Sequence, residues 1–344
     1  MASDVQILVT GATGLVGAET LEQLSAVYGS SIVGTSRRGG TLPVPVAAWN
    51  IGTEPPPRQL KRQWDVIVHT AADIRWTMTP EQATAANVAT VAALSLIVGP
   101  DTHVIHISTA YAVGLRGDTV SSDLAAYRNT YEWSKAHAER LAYESFTQLT
   151  IVRPPLIVGR RSDGKAARFS GIYTILRAMT AGMVPAIVGM TDARLDIIPV
   201  DDLAAVIVEF ADAGPQDGAV TIAGGASAPS VGEVIDTITA TLNEWRRERH
   251  FAPLDTPRVI SPSSWDRFFL PFVHEHLSPR QARILELLEP FHPYLVIAEP
   301  LHPTHSVTEV RQAISTAVSY WADGHPREAA LSPRPWQSQT GAPA

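Results

Sequence analysis

The sequence predicts an α/β protein: a doubly wound, Rossmann-type parallel sheet with a smaller, mostly helical C-terminal substrate lobe. Three observations predict it. Short apolar runs alternate with helical patterns from residue 5 to about residue 158, which calls for a parallel sheet with helices on both faces and right-handed crossovers. The first run, VQILVT, opens into a glycine turn, GATGLVG, and then into a helical pattern. After Gly159 the alternation lapses, and from Ser227 onward the chain is mostly helical and rich in proline.

The first fifty residues point to a cofactor. Residues 5–10 are nearly continuously apolar, as in a strand buried on both faces. Gly11, Gly14 and Gly17 follow, then LVGAETLEQLSAVYG, closed by Gly29, then a second apolar run, SIVGTS. Strand, glycine turn, helix and strand form a dinucleotide-binding unit. Its glycines allow a tight turn, close approach of the backbone to a pyrophosphate and close helix packing. The helix N-terminus offers N–H donors and the positive end of the dipole. An NAD site usually places an acid about 20 residues on, against the ribose hydroxyls. Here TSRRGG supplies Arg37 and Arg38 and no acid. Two guanidiniums suit a 2′-phosphate, so NADP(H) is the expected cofactor. The competing readings are a glycine turn that only packs and two solvated arginines.

The winding continues. WDVIVHTAA reads as a strand whose end, Ala71 and Ala72, leaves room for a ligand at the carboxyl edge of the sheet. Thr79, Pro80 and Gln82 make an N-cap, an N1 proline and a capping-box partner, so TPEQATAANVATVAALSLIV should be a long helix. THVIHISTAYAVG is a strand running to Gly114, and LTIVRPPLIVG is another, stopped by Pro154 and Pro155. Between them, YRNTYEWSKAHAERL is a helix that stacks Tyr131 over Lys135. A neighbouring ammonium should lower the tyrosine pKa from its reference of about 10 and fit Tyr131 for general acid–base work. The plain alternative is an amphipathic helix with an ordinary Tyr and a surface Lys.

Downstream, GRRSDGKAARFSG is a basic loop. Its Arg160, Arg161, Lys165 and Arg168 are either candidates for the phosphates of CoA or a phosphopantetheine arm, or a solvated loop. IYTILRAMTAG reads as a helix, LDIIPVDDLAAVIVEFAD as a strand or turn into a helix, and AVTIAGG as a last buried strand returning to the sheet. VGEVIDTITATLNEWRRER, PRQARILELLE and VTEVRQAISTAVSYWAD are helices of the smaller lobe, whose segments SSWDRFFLPFV and EPFHPYLVIAEP would line an acyl tunnel or form ordinary core. The expected organisation is a dinucleotide-binding domain over residues 1–159, completed by about 194–225. A substrate lobe is expected over 160–193 and 226–325, and a disordered tail over 326–344, where Pro, Ser, Gly and Gln accumulate.

Composition excludes several classes. The 344 residues, 45% hydrophobic and 18% charged, are ample for a large core. A net charge of -7 argues against nucleic acid as a partner. With no cysteine there is no disulfide, thiolate metal site or cysteine nucleophile. The pairs His274/His276 and His302/His305 lack a metal-ligand pattern, and no metal is expected. The first residues have no signal-peptide pattern, and no apolar stretch is long enough to span a membrane, so a cytoplasmic protein is expected.

Taken in order, GATGLVG, HTAA, ISTAY, Tyr131-x-x-x-Lys135, VRPPLIVG and IIPVDDLA resemble the extended short-chain dehydrogenases/reductases over roughly residues 5–225. HISTAYAVG, YEWSKAHAERL and DARLDIIPVDDLA are most similar to fatty acyl-CoA reductases and to the thioester reductase domains of carrier-protein systems. The resemblance implies cofactor contacts from Gly11, Thr13, Gly14, Leu15, Val16, Gly17, Arg37, Arg38, Asn50, Ala71, Ala72, Asn87, Tyr131, Lys135 and Pro154. It implies that Tyr131 protonates the substrate oxygen and that Lys135 lowers the Tyr131 pKa and holds the nicotinamide ribose. It also implies a hydroxyl at the end of the VIHIS strand that hydrogen-bonds the substrate carbonyl. Ser108 and Thr109 stand together there, and counting back from Gly114 favours Thr109. Two positions depart from the family pattern: Ala89, where glycine is common, and Asn50, where an aspartate commonly reads the adenine.

The implied reaction is NADP(H)-dependent reduction of an acyl thioester, carried on CoA or on an acyl or peptidyl carrier protein, to an aldehyde or alcohol. Two hydroxyls, Thr109 and Tyr131, would stabilise the charge developing on oxygen while the cofactor supplies hydride to carbon. Without cysteine, a covalent acyl-enzyme of the aldehyde-dehydrogenase kind is excluded. The alternatives are a reductase or dehydrogenase of a ketone or hydroxysteroid-like substrate, a sugar-nucleotide epimerase or dehydratase, and a non-catalytic regulatory protein that keeps an NADP(H) site.

Overall fold

The computed structural model describes residues 5–181, 186–273 and 279–332. In chain order, β1 (Ile7–Thr10), α1 (Leu15–Tyr28), β2 (Ile32–Ser36), β3 (Gly40–Thr41), β4 (Pro45–Ala48) and β5 (Val66–His69) come first. Next are α2 (Pro80–Ala83), α3 (Ala89–Leu94), β6 (His103–Ile107), α4 (Thr130–Ser145) and β7 (Leu149–Arg153). Then come β8 (Leu156–Val158), α5 (Ile172–Thr180), β9 (Ala186–Val188), β10 (Ile197–Pro199), α6 (Val200–Ala213) and β11 (Ala219–Ala223). Last are α7 (Val231–Glu248), β12 (Arg258–Ile260), α8 (Pro262–Ser264), α9 (Leu270–Val273), α10 (Pro279–Leu288), β13 (His305–Ser306), α11 (Val310–Gly324) and α12 (Pro326–Ala329).

These elements divide into two compact units. The first runs to Pro155 and takes in Val200–Ala223 and His302–Val307; the second holds Leu156–Pro199, Gly224–Leu301 and the chain from Thr308.

The first unit is built on a sheet in the order β13-β11-β7-β6-β5-β1-β2-β4-β3, in which only the β3–β4 pair is antiparallel. The apolar run of β1 is buried throughout, as expected of a strand covered on both faces. From β1 the chain winds one way to β2 and β4, then crosses back to β5, β6 and β7. The reversal falls beside β1, and in such sheets ligands bind at the carboxyl ends of the strands next to the reversal. AVTIAGG returns to this sheet as β11, paired parallel with β7. The register lines up residues at the carboxyl edge: Thr10 stands opposite Thr35 and His69, and His69 opposite His106.

The helix expected after Thr79 begins as its residues dictate. The Thr79 hydroxyl accepts from the Gln82 N–H, and the Gln82 side chain accepts from the Thr79 N–H. It is not uniform, however. Between α2 and α3, residues Thr84–Val88 widen into a π-helical turn. Such turns re-aim side chains and are frequent at functional sites. Asn87 lies in this turn and is buried.

The second unit pairs β8 with β10 and β9 with β12, both parallel. Its helix α7 opens with a capping box, Ser230 to Glu233. The side chain of Arg246, on α7, is buried and donates to the carbonyls of Ala252, Ala329 and Leu331. Residues 326–331 therefore behave differently from the tail that their composition suggests. They form α12 and a turn, with Ala329 fully buried, because a guanidinium from α7 satisfies their carbonyls. Residues 333–344, and with them most of that expected tail, lie outside the described residues, as do His274 and His276. Trp265, Phe291 and Leu295, from the two segments considered for an acyl tunnel, pack with Ile175 and Val188 around only about 10 Å³ of space. That is at most enough for one water, so in this structure these residues form core.

Candidate active site

Gly11, Gly14 and Gly17 form a cradle at the end of β1. Gly11 has φ 70°, and a Cβ there would lie 2.8 Å from the backbone nitrogen of Ala71. A Cβ at Gly17 would overlap the Gly11 carbonyl oxygen. Gly14 caps α1 without a side-chain hydrogen bond, and the first turn, with Leu15, Val16 and Gly17, contains no acid. A close backbone, an uncapped helix N-terminus and a first turn without a carboxylate fit a pyrophosphate. Thr13 is exposed in this turn. Arg37 and Arg38 are exposed directly after β2, and Asn50 follows β4 at the same edge. Ala71 and Ala72 follow β5 and are not buried. Burial works to raise the carboxyl of the next residue, Asp73, but the fork of Arg75 and the field of Arg37 outweigh it and hold the carboxyl low.

Asn87 is buried, and its amide is fully engaged. Its Oδ1 accepts from the Asp73 N–H at 2.8 Å, and its Nδ2 donates to the Asp73 carbonyl and to Ser134 Oγ. Ser134 in turn donates to the Tyr131 carbonyl. The π turn thus ties the segment after β5 to the first turn of α4.

Beneath that turn lies a buried polar network. Thr90 donates its hydroxyl proton to the Asn87 carbonyl, so its oxygen must accept from His69 Nε2, 3.2 Å away. His69 therefore carries its proton on Nε2, and its Nδ1 accepts from the Thr10 hydroxyl at 2.7 Å. The His69 ring stacks on His106, with centroids 5.3 Å apart. His106 Nε2 is 3.4 Å from Lys135 Nζ, which also donates to the Ile107 carbonyl at 2.7 Å. Burial, and then the Lys135 charge, lower the pKa of His69 to about 3 and hold His106 well below its usual range. Burial also lowers Lys135 to about 8, against the opposing pull of Glu139. Glu139 is itself fully buried and forked to Arg153.

Tyr131 departs from expectation. Burial, with the Glu132 charge adding to it, raises its pKa instead of lowering it. The physical reason is the aim of Lys135: its ammonium is bonded to Ile107 and His106, and among the described residues the Tyr131 hydroxyl has no hydrogen bond to Lys135 or Thr109.

Both candidate hydroxyls follow β6, and both residues are buried. Thr109 Oγ1 accepts from the Tyr111 N–H, which leaves its own proton free to donate. The Ala110 N–H bonds the Pro154 carbonyl, which pins this turn to the end of β7. Ser108 Oγ is inaccessible and has no protein partner among the described residues.

Gly11 to Gly17, Arg37, Arg38, Asn50, Ala71, Ala72, Asn87, Ser108, Thr109, Tyr131, Lys135 and Pro154 all lie in the first unit. Arg160, Arg161, Lys165 and Arg168 lie in the second. There each already interacts with the protein. Arg161 donates to the carbonyls of Thr308 and Glu309, holding Glu309 at φ 55° before α11. The loop thus has a structural task that its charge alone did not reveal.

A family model described as male sterility protein matches residues 54–207. Over that stretch the chain is similar to the family. Among solved structures, the terminal R domain of the myxalamid PKS-NRPS pathway is similar at 18% identity and TM-score 0.66, over 95% of this chain and 92% of that one. The PhqB reductase domain from Penicillium fellutanum is similar at 16% identity and TM-score 0.66, over 94% of each chain. Bordetella bronchiseptica WbmH, determined with NAD+, is similar at 17% identity and TM-score 0.64, over 93% of this chain and 99% of that one. At these identities the likeness is one of fold. A comparison with curated protein sequences returns no match. Tyr131, Lys135, Thr109 and Asn87 all lie within the matched residues, whereas the glycine cradle precedes them.

No sequence motif singles out His69, His106, Thr10, Thr90, Ser134 or the Glu139–Arg153 pair. The histidines left a signal, since each interrupts an otherwise apolar strand, VIVH and HVIHI. Among the described residues no helix is long and apolar enough to cross a membrane, and no three His, Asp or Glu side chains converge as a metal set.

Proposed function

We propose that the protein is an NADPH-dependent reductase of acyl thioesters, carried on CoA or on a carrier protein, and that it works on the cytoplasmic pools of both. The observation that supports this most is the anchoring of Lys135 to the Ile107 carbonyl. It brings the ammonium of α4 to the carboxyl end of β6, directly before Ser108 and Thr109. The similarity of residues 54–207 to the male sterility protein model, and the likeness in fold to the PhqB reductase domain, support a reductase reading.

The glycine cradle holds the pyrophosphate, and Arg37 and Arg38 recognise a 2′-phosphate. NADPH, when bound, supplies hydride to the thioester carbon. Thr109 donates a hydrogen bond to the carbonyl oxygen, and Tyr131 gives that oxygen its proton. The raised Tyr131 pKa keeps the phenol protonated until the transfer. Lys135, with two N–H groups held by the protein, offers its third to a ribose hydroxyl. The hemithioacetal so formed passes its hydroxyl proton to the departing sulfur and gives the aldehyde and free thiol; going on to the alcohol would take a second NADPH and a second proton.

The test follows NADPH absorbance with acyl-CoAs and with acylated carrier protein, and identifies products by mass. NADPH loss matched by free thiol and by aldehyde or alcohol supports the reading. Turnover of a sugar nucleotide without net cofactor loss would replace it with an epimerase.

A further inference from the structure

Lys135 is 2% exposed, and a buried ammonium needs acceptors for its protons. Among the described residues it has two, the Ile107 carbonyl at 2.7 Å and His106 Nε2 at 3.4 Å. The carbonyl belongs to the backbone and is fixed by the strand. The imidazole is fixed differently: its ring lies against His69, at 27° between planes, and His69 is itself pinned at both nitrogens by Thr10 and Thr90. The row Thr10, His69, His106 runs across three adjacent strands in register and ends at the lysine. Among the described residues the Nδ1 of His106 has no protein partner, so the ring's one polar contact there is with Lys135. A buried polar side chain whose one hydrogen bond is to a candidate catalytic group calls for a reason to be there.

We propose that His106 is a positioning residue for the Tyr131–Lys135 site: its neutral imidazole, laid flat on His69, accepts a hydrogen bond from Lys135 Nζ and holds the ammonium at the end of β6. The proposal deepens the reading of Tyr131 and Lys135 as catalytic, but its test does not depend on turnover. The charged groups around Lys135 are Glu139 on its own helix, paired to Arg153 of β7; the titratable groups are Tyr131 on α4, His106 on β6 and His69 behind it on β5.

The chain has only three lysines, Lys61, Lys135 and Lys165. Carbon-13 labelling of lysine therefore gives three side-chain signals, and Lys135→Arg assigns one of them. The experiment titrates the Lys135 signal, without cofactor, in the wild type, His106→Gln, His106→Asn and His106→Leu. Glutamine can place an acceptor near the Nε2 position, whereas asparagine is too short and leucine offers none. The midpoint should stay near the wild-type value in His106→Gln. It should fall by about one pH unit in His106→Asn and His106→Leu, because the charged form loses an acceptor. Should the leucine variant not fold, the contrast between glutamine and asparagine decides the matter. Equal midpoints in every folded variant would overturn the proposal. A midpoint that responds as described in a protein without reductase activity would leave the positioning intact and remove only the proposed function. Where activity is present, the alkaline limb of its pH profile should move with the same midpoint.

Discussion

Replacing His69 by asparagine should remove a defined part of the fold's acid sensitivity. His69 is fully buried and faces the field of Lys135, and the burial, followed by that field, places its pKa at about 3. In the unfolded chain the same ring titrates at about 6.5. Between these two values the unfolded chain binds a proton that the folded chain refuses, so stability rises with pH there. The contribution is complete above the unfolded value and is lost as pH falls towards the folded one. Integrated from pH 7 to pH 5, this one group costs the folded state about 2 kcal/mol. Asparagine does not titrate. The variant should start less stable at pH 7, because Thr10 and Thr90 each lose a partner on the ring. Its further loss on going to pH 5 should nevertheless be smaller than that of the wild type by about 2 kcal/mol. Urea unfolding followed through the buried Trp49 and Trp64 of the first unit measures both quantities. Equal losses in the two proteins would show that His69 binds protons alike in the folded and unfolded chains, and would refute the assignment of a neutral buried stack.

Four further outcomes are expected. Gly17→Ala should abolish NADPH binding in calorimetry, because its Cβ meets the Gly11 carbonyl oxygen; an unchanged Kd would mean that the cradle does not hold the cofactor. Arg153→Leu should cost about 3–5 kcal/mol in unfolding free energy, since it leaves the fully buried Glu139 carboxylate unpaired; a loss below about 1 kcal/mol would show that water reaches that carboxylate. Thr109→Val should lower kcat by about 100-fold or more and Ser108→Ala by much less, and the reverse order would transfer the carbonyl-binding role to Ser108. Arg37→Ala should raise the KM for NADPH by about 10- to 100-fold and leave that for NADH unchanged, whereas equal effects on both would exclude a 2′-phosphate contact.

What could be read from the residues is what local chemistry fixes. Continuous apolar runs mean doubly covered strands, and β1, β5 and β7 formed where they were read, whereas β6 stops at Ile107, short of Gly114, because Ala110–Val113 close into a 3-10 turn. Glycine spacing means close backbone approach, and the Gly11–Ala71 contact is that approach. The Thr79–Gln82 capping box is a four-residue event, and it formed as written. Elements two or three residues long, such as β3, β8, β9 and β13, escaped because they are too short to carry a period. The π turn at Thr84–Val88 escaped because a single widened turn carries no apolar period of its own. Residues 326–331 were misjudged with the Pro-, Ser- and Gln-rich stretch that follows them, because composition does not register the distant Arg246 that gives their carbonyls a donor.

The sequence by itself determined the sheet, the cradle and the spacing that puts Tyr131 and Lys135 on one helix, since each depends on residues near one another in the chain. The tertiary structure decided what Lys135 does there. Its ammonium is bonded to a carbonyl and an imidazole supplied by β6 almost thirty residues earlier. Burial then raises the tyrosine that the lysine was expected to lower. Spacing along a helix fixes which side chains are neighbours, but the direction of a buried cation is set by whichever acceptors the fold brings within reach, and those come from other strands.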